Sequence, residues 1–495
     1  MRAPWKTSLG ALDLANELIP PPNGYLRWRA ERLQLFRFSD KEDQAPPEAL
    51  LQQVWLYQRL LHENLRTSDG RPLRILHPGF WNREAGPDFR QALVQIGDAP
   101  PLSGDIEIDV VPAGWEQHSH AANPNYRQVI LHVTWEPESP GRPVPSLALK
   151  DVLDSTLPEL SFWLGVHPKA LPEGLAGKCA APLKALPENQ VRAVLKQAGQ
   201  ARLRRKAEEL QARARQLGWD AALWEGLFAA LGYKRNVWPM RRLAALHDSL
   251  LTDLPPAESA LHLQARLFGV AGFLPLEIEP KRASEAYLHS LWQIWWRDSA
   301  RFREQVFPPK FWNLAGIRPP NHPHRRIALA AHWLAANSLP GKLQHWLERQ
   351  IESPDLLTSL AEIFDPPNDD FWDRRSTFRS APSASPRQLL GEQRVTDLAM
   401  NVVLPWLYVR ACAGSNERLA STAESRYLLW PAGEDNSVLR LARERLFGGI
   451  SAKFLRTAAD QQGVLQIVRD FCQSSNAVCE NCLFPELVQA VVVVS

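Results

Sequence analysis

The sequence predicts an α+β fold, with an N-terminal mixed α/β domain built on a small sheet and a mainly α-helical C-terminal domain. Two observations carry this. Between residues 70 and 135, apolar and polar residues alternate in short runs, the period-2 pattern of strands with one packed face. Beyond residue 190 the apolar residues recur at helical spacing in one segment after another.

The elements follow in order. "PPEALLQQVWLYQRLLHEN" brings Leu50, Leu51, Val54, Leu56, Leu60 and Leu61 round at roughly helical spacing, and "TSDGRP" stops the helix with turn chemistry. Strand patterns come next at 73–76 ("LRIL"), 89–97 ("FRQALVQIG"), 104–111 ("GDIEIDVV") and 128–135 ("QVILHVTW"). Proline then crowds residues 137–190 and predicts wrapping loops or a linker. In "ENQVRAVLKQAGQARLRRKAEELQARARQLG", Leu203, Ala207, Leu210, Ala214 and Leu217 form one apolar stripe, with Gly218 as a C-terminal cap. The predicted organisation is an N-terminal extension (1–44), the α/β domain (45–165), a Pro-rich linker (166–190) and a helical domain (191–495) ending in a cysteine cluster.

The composition narrows the class. The chain has 495 residues, enough for more than one core, and 45% hydrophobic with 22% charged residues is ordinary for a globular protein and argues against disorder. No apolar run approaches the ~20 residues of a membrane-spanning helix, and the first 25 residues lack the continuous apolar core of a signal peptide. The expectation is a cytoplasmic protein without a membrane partner. A net charge of +3 leaves nucleic-acid binding to local patches. Five cysteines in 495 residues do not make a secreted disulfide framework.

The densest polar stretch runs from His77 to Val133. In "GDIEIDV", Glu107 and Asp109 project to one face and Ile106, Ile108 and Val110 to the other. One face packs, and the other is a carboxylate ledge. Asp88 opens the preceding strand after Gly86-Pro87, and antiparallel pairing of the two strands brings Asp88 to Glu107 only in one register. If they meet, their hard oxygens suit Mg²⁺ or Mn²⁺. The bland alternative is a polar sheet edge with solvated carboxylates. His118 and His120 follow in a His-x-His spacing, which places two rings on one side of an extended segment and suits Zn²⁺ or another transition metal once a carboxylate joins. His132 lies in the apolar run "VILHV" and reads as a hydrogen-bonded core histidine; Trp115 and Tyr126 read as packing residues.

Pro87-Asp88, followed about twenty residues later by Glu107-Ile108-Asp109, resembles the pattern of the PD-(D/E)xK, or restriction-endonuclease-like, nucleases. That resemblance implies a metal-dependent phosphodiesterase with Asp88 and Glu107 as ligands. Asp109 departs from it, standing where that superfamily has a lysine, and His118, His120 or His132 would have to supply a base. Over most of its length, through "GFWNREAGPDF", "GDIEIDV", "GWEQHSHAANPNYRQVILHV", "LGYKRN", "GIRPPNHPHRRIALAA", "NVVLPWL" and the closing "FC" and "CENC", the chain resembles the bacterial family catalogued as domain of unknown function 2851. That family implies no activity.

Two further constellations stand out. "AGIRPPNHPHRRIALAA" couples Arg318, His322, His324, Arg325 and Arg326 to a helix starting near Pro323, and guanidiniums beside a helix N-terminus suit phosphate. With "ARLRRKAEE" and "YKRNVWPMRR" this predicts nucleic acid as a partner, against the alternative of solvated helix faces. Cys472, Cys479 and Cys482 have ligand-like spacing, and a distant cysteine, Cys179 or Cys412, is expected as the fourth ligand for zinc or an iron-sulfur cluster, against free or redox-active thiols.

The leading expectation is a nuclease using Asp88 and Glu107 with Asp109, His118 and His120. The competing expectations are a non-catalytic nucleic-acid or protein-binding module, and a small-molecule hydrolase with a transition metal.

Overall fold

The computed structural model describes residues 24–25, 28–29, 45–82, 86–117, 123–139, 143–157, 160, 176–233, 235–255, 258–274, 286–308, 311–314, 316–336, 338–449, 454–472, 479 and 482–494. The protein is α+β, as its periodicities predict, and divides into two compact units.

One unit comprises residues 14–198, 436–451 and 463–495. Its helix α1 (Glu48–Tyr57) buries Leu50, Leu51, Val54 and Trp55. Gln58 ends the helix in the left-handed region at φ 51°, and the N–H groups of Gln58 and Arg59 close on the carbonyls of Trp55 and Val54.

The sheet has six strands: β1 (Leu73–His77), β2 (Phe80–Trp81), β3 (Phe89–Ile96), β4 (Leu102–Ile108), β5 (Val129–Thr134) and β6 (Ser146–Ala148). Their order is β1-β3-β4-β5-β6, with β2 paired to β3. β1, β3 and β4 pair antiparallel, whereas β4, β5 and β6 pair parallel. The parallel step needs a crossover, and the chain between Ile108 and Val129 provides it, starting with the short helix α2 (Gly114–Gln117).

β4 is therefore an inner strand, hydrogen-bonded on both sides. The solvated-edge alternative fails here: Glu107 is 7% and Asp109 2% exposed. Helices from the C-terminal end complete this unit. Helix α3 (Ala180–Ala185) packs with α9 (Ser437–Phe447) and α10 (Phe484–Val494), which sequence periodicity alone assigned to the helical domain.

The other unit comprises residues 1–13, 199–435 and 452–462, and its described part is helical. It holds residues 199–217 of helix α4 (Glu188–Leu217), and α5 (Trp219–Leu231), α6 (Val237–Ala244), α7 (Ser259–Val270) and α8 (Pro323–Ala335). α7 and α8 pack together, burying Leu263, Leu267, Phe268, Ile327, Ala330 and Leu334. No described helix is long and apolar enough to cross a membrane.

Candidate active site: a buried carboxylate cluster

The antiparallel β3–β4 ladder starts with Ala92 opposite Gly104 and Val94 opposite Leu102, a register that would set Asp88 opposite Ile108 on the apolar face. A β-bulge between Phe89 and Ala92 shifts the pairing by one residue, so that Phe89 faces Ile106 and Asp88 comes beside Glu107. Gln91 makes the bulge in the left-handed region at φ 58°, and its N–H donates to Asp105 Oδ1 at 3.0 Å. One extra residue thus moves Asp88 to the acid side of the sheet. On the far side of β4, Glu107 is paired in register with His132 of β5.

Each carboxylate is held by the other strand. The Asp88 backbone N–H donates to Glu107 Oε2 (3.1 Å), and the Ile108 N–H donates to Asp88 Oδ2 (3.2 Å). From α1, Gln52 Nε2 donates to Asp88 Oδ1 and to Glu48 Oε1, both at 2.9 Å. Negative charge therefore accumulates in a poorly hydrated place. Burial, and then the charge of Glu48, raises Asp88 to about 7. Burial, and then the charge of Asp88, raises Glu107 to about 9, with Asp109 and Glu48 adding to the effect. Tyr126 is raised to about 12 by burial and by the same acids, so its phenol stays protonated at neutral pH.

Asp109 lies just past β4 and turns to His132. His132 Nε2 is 3.0 Å from Asp109 Oδ2, and His132 Nδ1 is 3.2 Å from Glu138 Oε2. The ring lies between two buried carboxylates, with Trp115 packed 5.4 Å from its centroid. Gly114 is required beside this group, because a Cβ there would lie 2.6 Å from the Asp109 carboxyl carbon. His132 is thus the hydrogen-bonded core histidine its apolar strand predicted, and it is tied to the acidic cluster through Asp109. Glu48, Gln52 and Glu138 were not singled out from sequence. Glu48 and Gln52 are four apart and share a helix face, a signal visible in the sequence, whereas Glu138 reaches His132 only through the fold.

Residues 48–436 match the family model described as "Protein of unknown function (DUF2851)". The chain belongs to the DUF2851 family. Comparison with curated proteins and with solved structures finds no match. The DUF2851 match begins at the first residue of α1 and takes in every carboxylate of the cluster; it ends before Cys472, Cys479 and Cys482.

The other predicted residues divide into three sets. His118 and His120 lie outside the described residues. In the second DUF2851 segment of interest, Arg318 is exposed, but the expectation that Arg325 and Arg326 offer a basic surface is corrected: they are 3% and 5% exposed. Arg325 donates to the backbone carbonyls of Trp372, Arg375, Arg387 and Gln388, and Arg326 to those of Leu389 and Pro320 and to Asn321 Oδ1. Their guanidiniums stitch the 372–389 segment to α8. His324 is likewise buried, stacked at 4.2 Å on Phe273, and the half-buried His322 Nδ1 lies 2.9 Å from His324 Nδ1.

Cys179, Cys472, Cys479 and Cys482 come near enough that the thiolate charges act on one another. Arg445 organises them: it donates to Cys479 Sγ at 2.8 Å and to the Cys472 side chain, and its carbonyl accepts from the Gly177 N–H, two residues before Cys179. None of the four is in a disulfide. Among the described residues, no group of three or more His, Cys, Asp or Glu side chains is placed to hold a metal ion.

Proposed function

We propose that the Asp88–Glu107 pair holds a divalent cation, Mg²⁺ or Mn²⁺, and that the protein is a metal-dependent phosphodiesterase acting on nucleic acid. The observation that carries this reading is the bulge that sets the half-buried Asp88 beside the buried Glu107, with Glu48 and Asp109 close to them. The buried Glu107 and Asp109 come together with the half-buried Asp88 and the exposed Glu48 at the rim, and a hard cation is the ligand that relieves their repulsion. Pro87-Asp88 and Glu107-Ile108-Asp109, the segments that resemble the PD-(D/E)xK pattern, supply the pair. Such an ion makes water more acidic and neutralises charge on a phosphoryl oxygen.

The chain's own groups hold and orient. The backbone N–H groups of Asp88 and Ile108, with the Gln52 amide, fix the two carboxylates. The Tyr126 phenol, kept protonated, is a hydrogen-bond donor for an anionic substrate. In place of the superfamily's lysine, Asp109 positions the His132 ring, and Glu138 holds its other nitrogen. Asp109 and His132 are positioning residues in this reading.

Incubation of the purified protein with single- and double-stranded DNA and RNA, in Mg²⁺ or Mn²⁺, tests it. Cleavage that disappears in Asp88→Ala and Glu107→Ala supports the proposal, and intact nucleic acid under every condition sinks it. A second reading, a non-catalytic binding module, is favoured by one observation: the carboxylate of Asp109, at the lysine position, is occupied by His132. Nucleic-acid binding without cleavage would select that reading.

A further inference from the structure

Two segments that mark the sequence but play no part in the carboxylate cluster, "LGYKRN" and "GIRPPNHP", meet in the helical unit and line one cavity of about 370 Å³. That is within the ~300–1,000 Å³ range of small-molecule sites. Leu231, Met240, Ile317 and Pro323 give it apolar walls, and Arg235 and Arg318, both exposed, belong to its lining.

The cavity is built rather than left over. Asn236 donates from Nδ2 to the Asn313 carbonyl (3.0 Å) and accepts the Asn313 N–H at Oδ1 (2.8 Å), which ties the chain just before the second segment to the start of α6. Gly232 permits the turn, since a Cβ there would lie 2.3 Å from the Asn236 carbonyl oxygen. Tyr233, beside it, holds the left-handed region at φ 54°, an unfavourable conformation for an aromatic residue. Its surroundings fix it there: the phenol donates to Asn321 Oδ1 at 2.6 Å, and the guanidiniums of Arg394 and Arg326 lie 3.9 and 5.7 Å from the ring centroid. The Arg235 guanidinium lies over Gly316, so that a Cβ at 316 would sit 3.4 Å from it.

We propose that this cavity binds a nucleoside phosphate, with the base against the apolar walls and the phosphate on Arg235 and Arg318. An apolar slot holds a flat ring, and guanidinium forks match phosphate oxygens. The ligand is either a free nucleotide or an unpaired nucleotide of a single strand. The site lies in the other unit from the carboxylate cluster and stands whether or not that cluster cuts phosphodiesters.

Binding is measured on the full chain in EDTA, so that no cleavage enters the result. Labelled single-stranded and blunt duplex DNA and RNA are followed by fluorescence anisotropy, and AMP, UMP and inorganic phosphate by calorimetric titration. Arg318→Glu reverses an exposed charge, and Ile317→Trp fills the cavity while leaving both guanidiniums; Arg318→Gln replaces the first if its melting temperature falls. The proposal expects each variant to lose about tenfold or more in affinity. Binding of AMP or UMP identifies a free nucleotide as the source, and binding of the single strand alone identifies the strand. No binding of nucleotides or single strands overturns the proposal, as do wild-type affinity in either variant, duplex bound as tightly as single strand, and inorganic phosphate bound as tightly as AMP.

Discussion

Asp88 and Glu107 are locked in a reciprocal arrangement: the backbone N–H of Asp88 donates to Glu107 Oε2, while the backbone N–H that follows Glu107 donates to Asp88 Oδ2. The two acids keep this geometry although burial and neighbouring acids raise both pKa values, Asp88 by its burial and the charges of Glu48 and Asp109, Glu107 by its burial and the charge of Asp88. Backbone donors hold them in place against repulsion, which is how a preorganised cation site is made.

Burial, with the neighbouring acids adding to it, gives a pH dependence with a definite sign. Folding raises Asp88 from 3.8 to about 7 and Glu107 from 4.5 to about 9, so the native state binds more protons than the unfolded chain across that interval. Stability falls as pH rises from about 4 to about 9, and the loss is complete above the folded value of Glu107. Urea unfolding in EDTA at pH 5 and pH 8 measures it: Glu107→Gln flattens the dependence and is the more stable protein at pH 8, by on the order of a few kcal/mol. A wild-type curve as flat as that of the variant would contradict the account.

His132 bridges Asp109 and Glu138 in a fully enclosed position. Replacing it with alanine leaves two buried carboxylates without their shared partner, so His132→Ala costs about 3–5 kcal/mol in denaturant unfolding. His132→Gln, which keeps a donor, costs less. Equal losses in the two variants would mean that the ring's packing on Trp115 matters more than its hydrogen bonds.

Arg325 tests the correction to the basic segment. Because its guanidinium serves four backbone carbonyls, Arg325→Ala destabilises the protein by about 2–5 kcal/mol through acceptors left unpaired. Thermal melting reads this directly. A variant with the wild-type melting temperature and weakened nucleic-acid binding would return Arg325 to the surface role its sequence context suggests.

The cysteines give a fourth prediction. Burial and the neighbouring thiolates raise Cys472 to about 12 and Cys179 further, so very little thiolate is present at pH 8. Cys179 and Cys472 therefore alkylate slowly in the native protein and rapidly in guanidinium, as mass spectrometry after timed iodoacetamide exposure would show. Rapid native labelling of Cys472 would contradict the burial.

The legibility of the sequence varied with the kind of information needed. Period-2 and helical patterns were enough for β1, β3, β4, β5 and α1 because each has one buried face, and side-chain alternation records that face directly. Asp88 and Glu107 were legible as residues but not as a pair: their meeting depends on the bulge at Gln91, and nothing in "FRQALV" marks one extra residue. The parallel β4–β5 step was equally hidden, because a strand bears no mark of its partner's direction. Arg325 and Arg326 misled for a related reason. Arginines at the start of a helix look alike whether they face phosphate or the carbonyls of a segment some fifty residues away.

The central claim is that Asp88 and Glu107 form a cation site, and Mn²⁺ binding tests it most directly. Titration of the metal-free protein, followed by calorimetry and by the loss of the free Mn²⁺ paramagnetic signal, should show saturable binding in the wild type. That binding should be abolished in Asp88→Asn and in Glu107→Gln while Arg318→Gln retains it. No saturable Mn²⁺ binding by the folded wild type, or undiminished binding in both carboxylate variants, would contradict it.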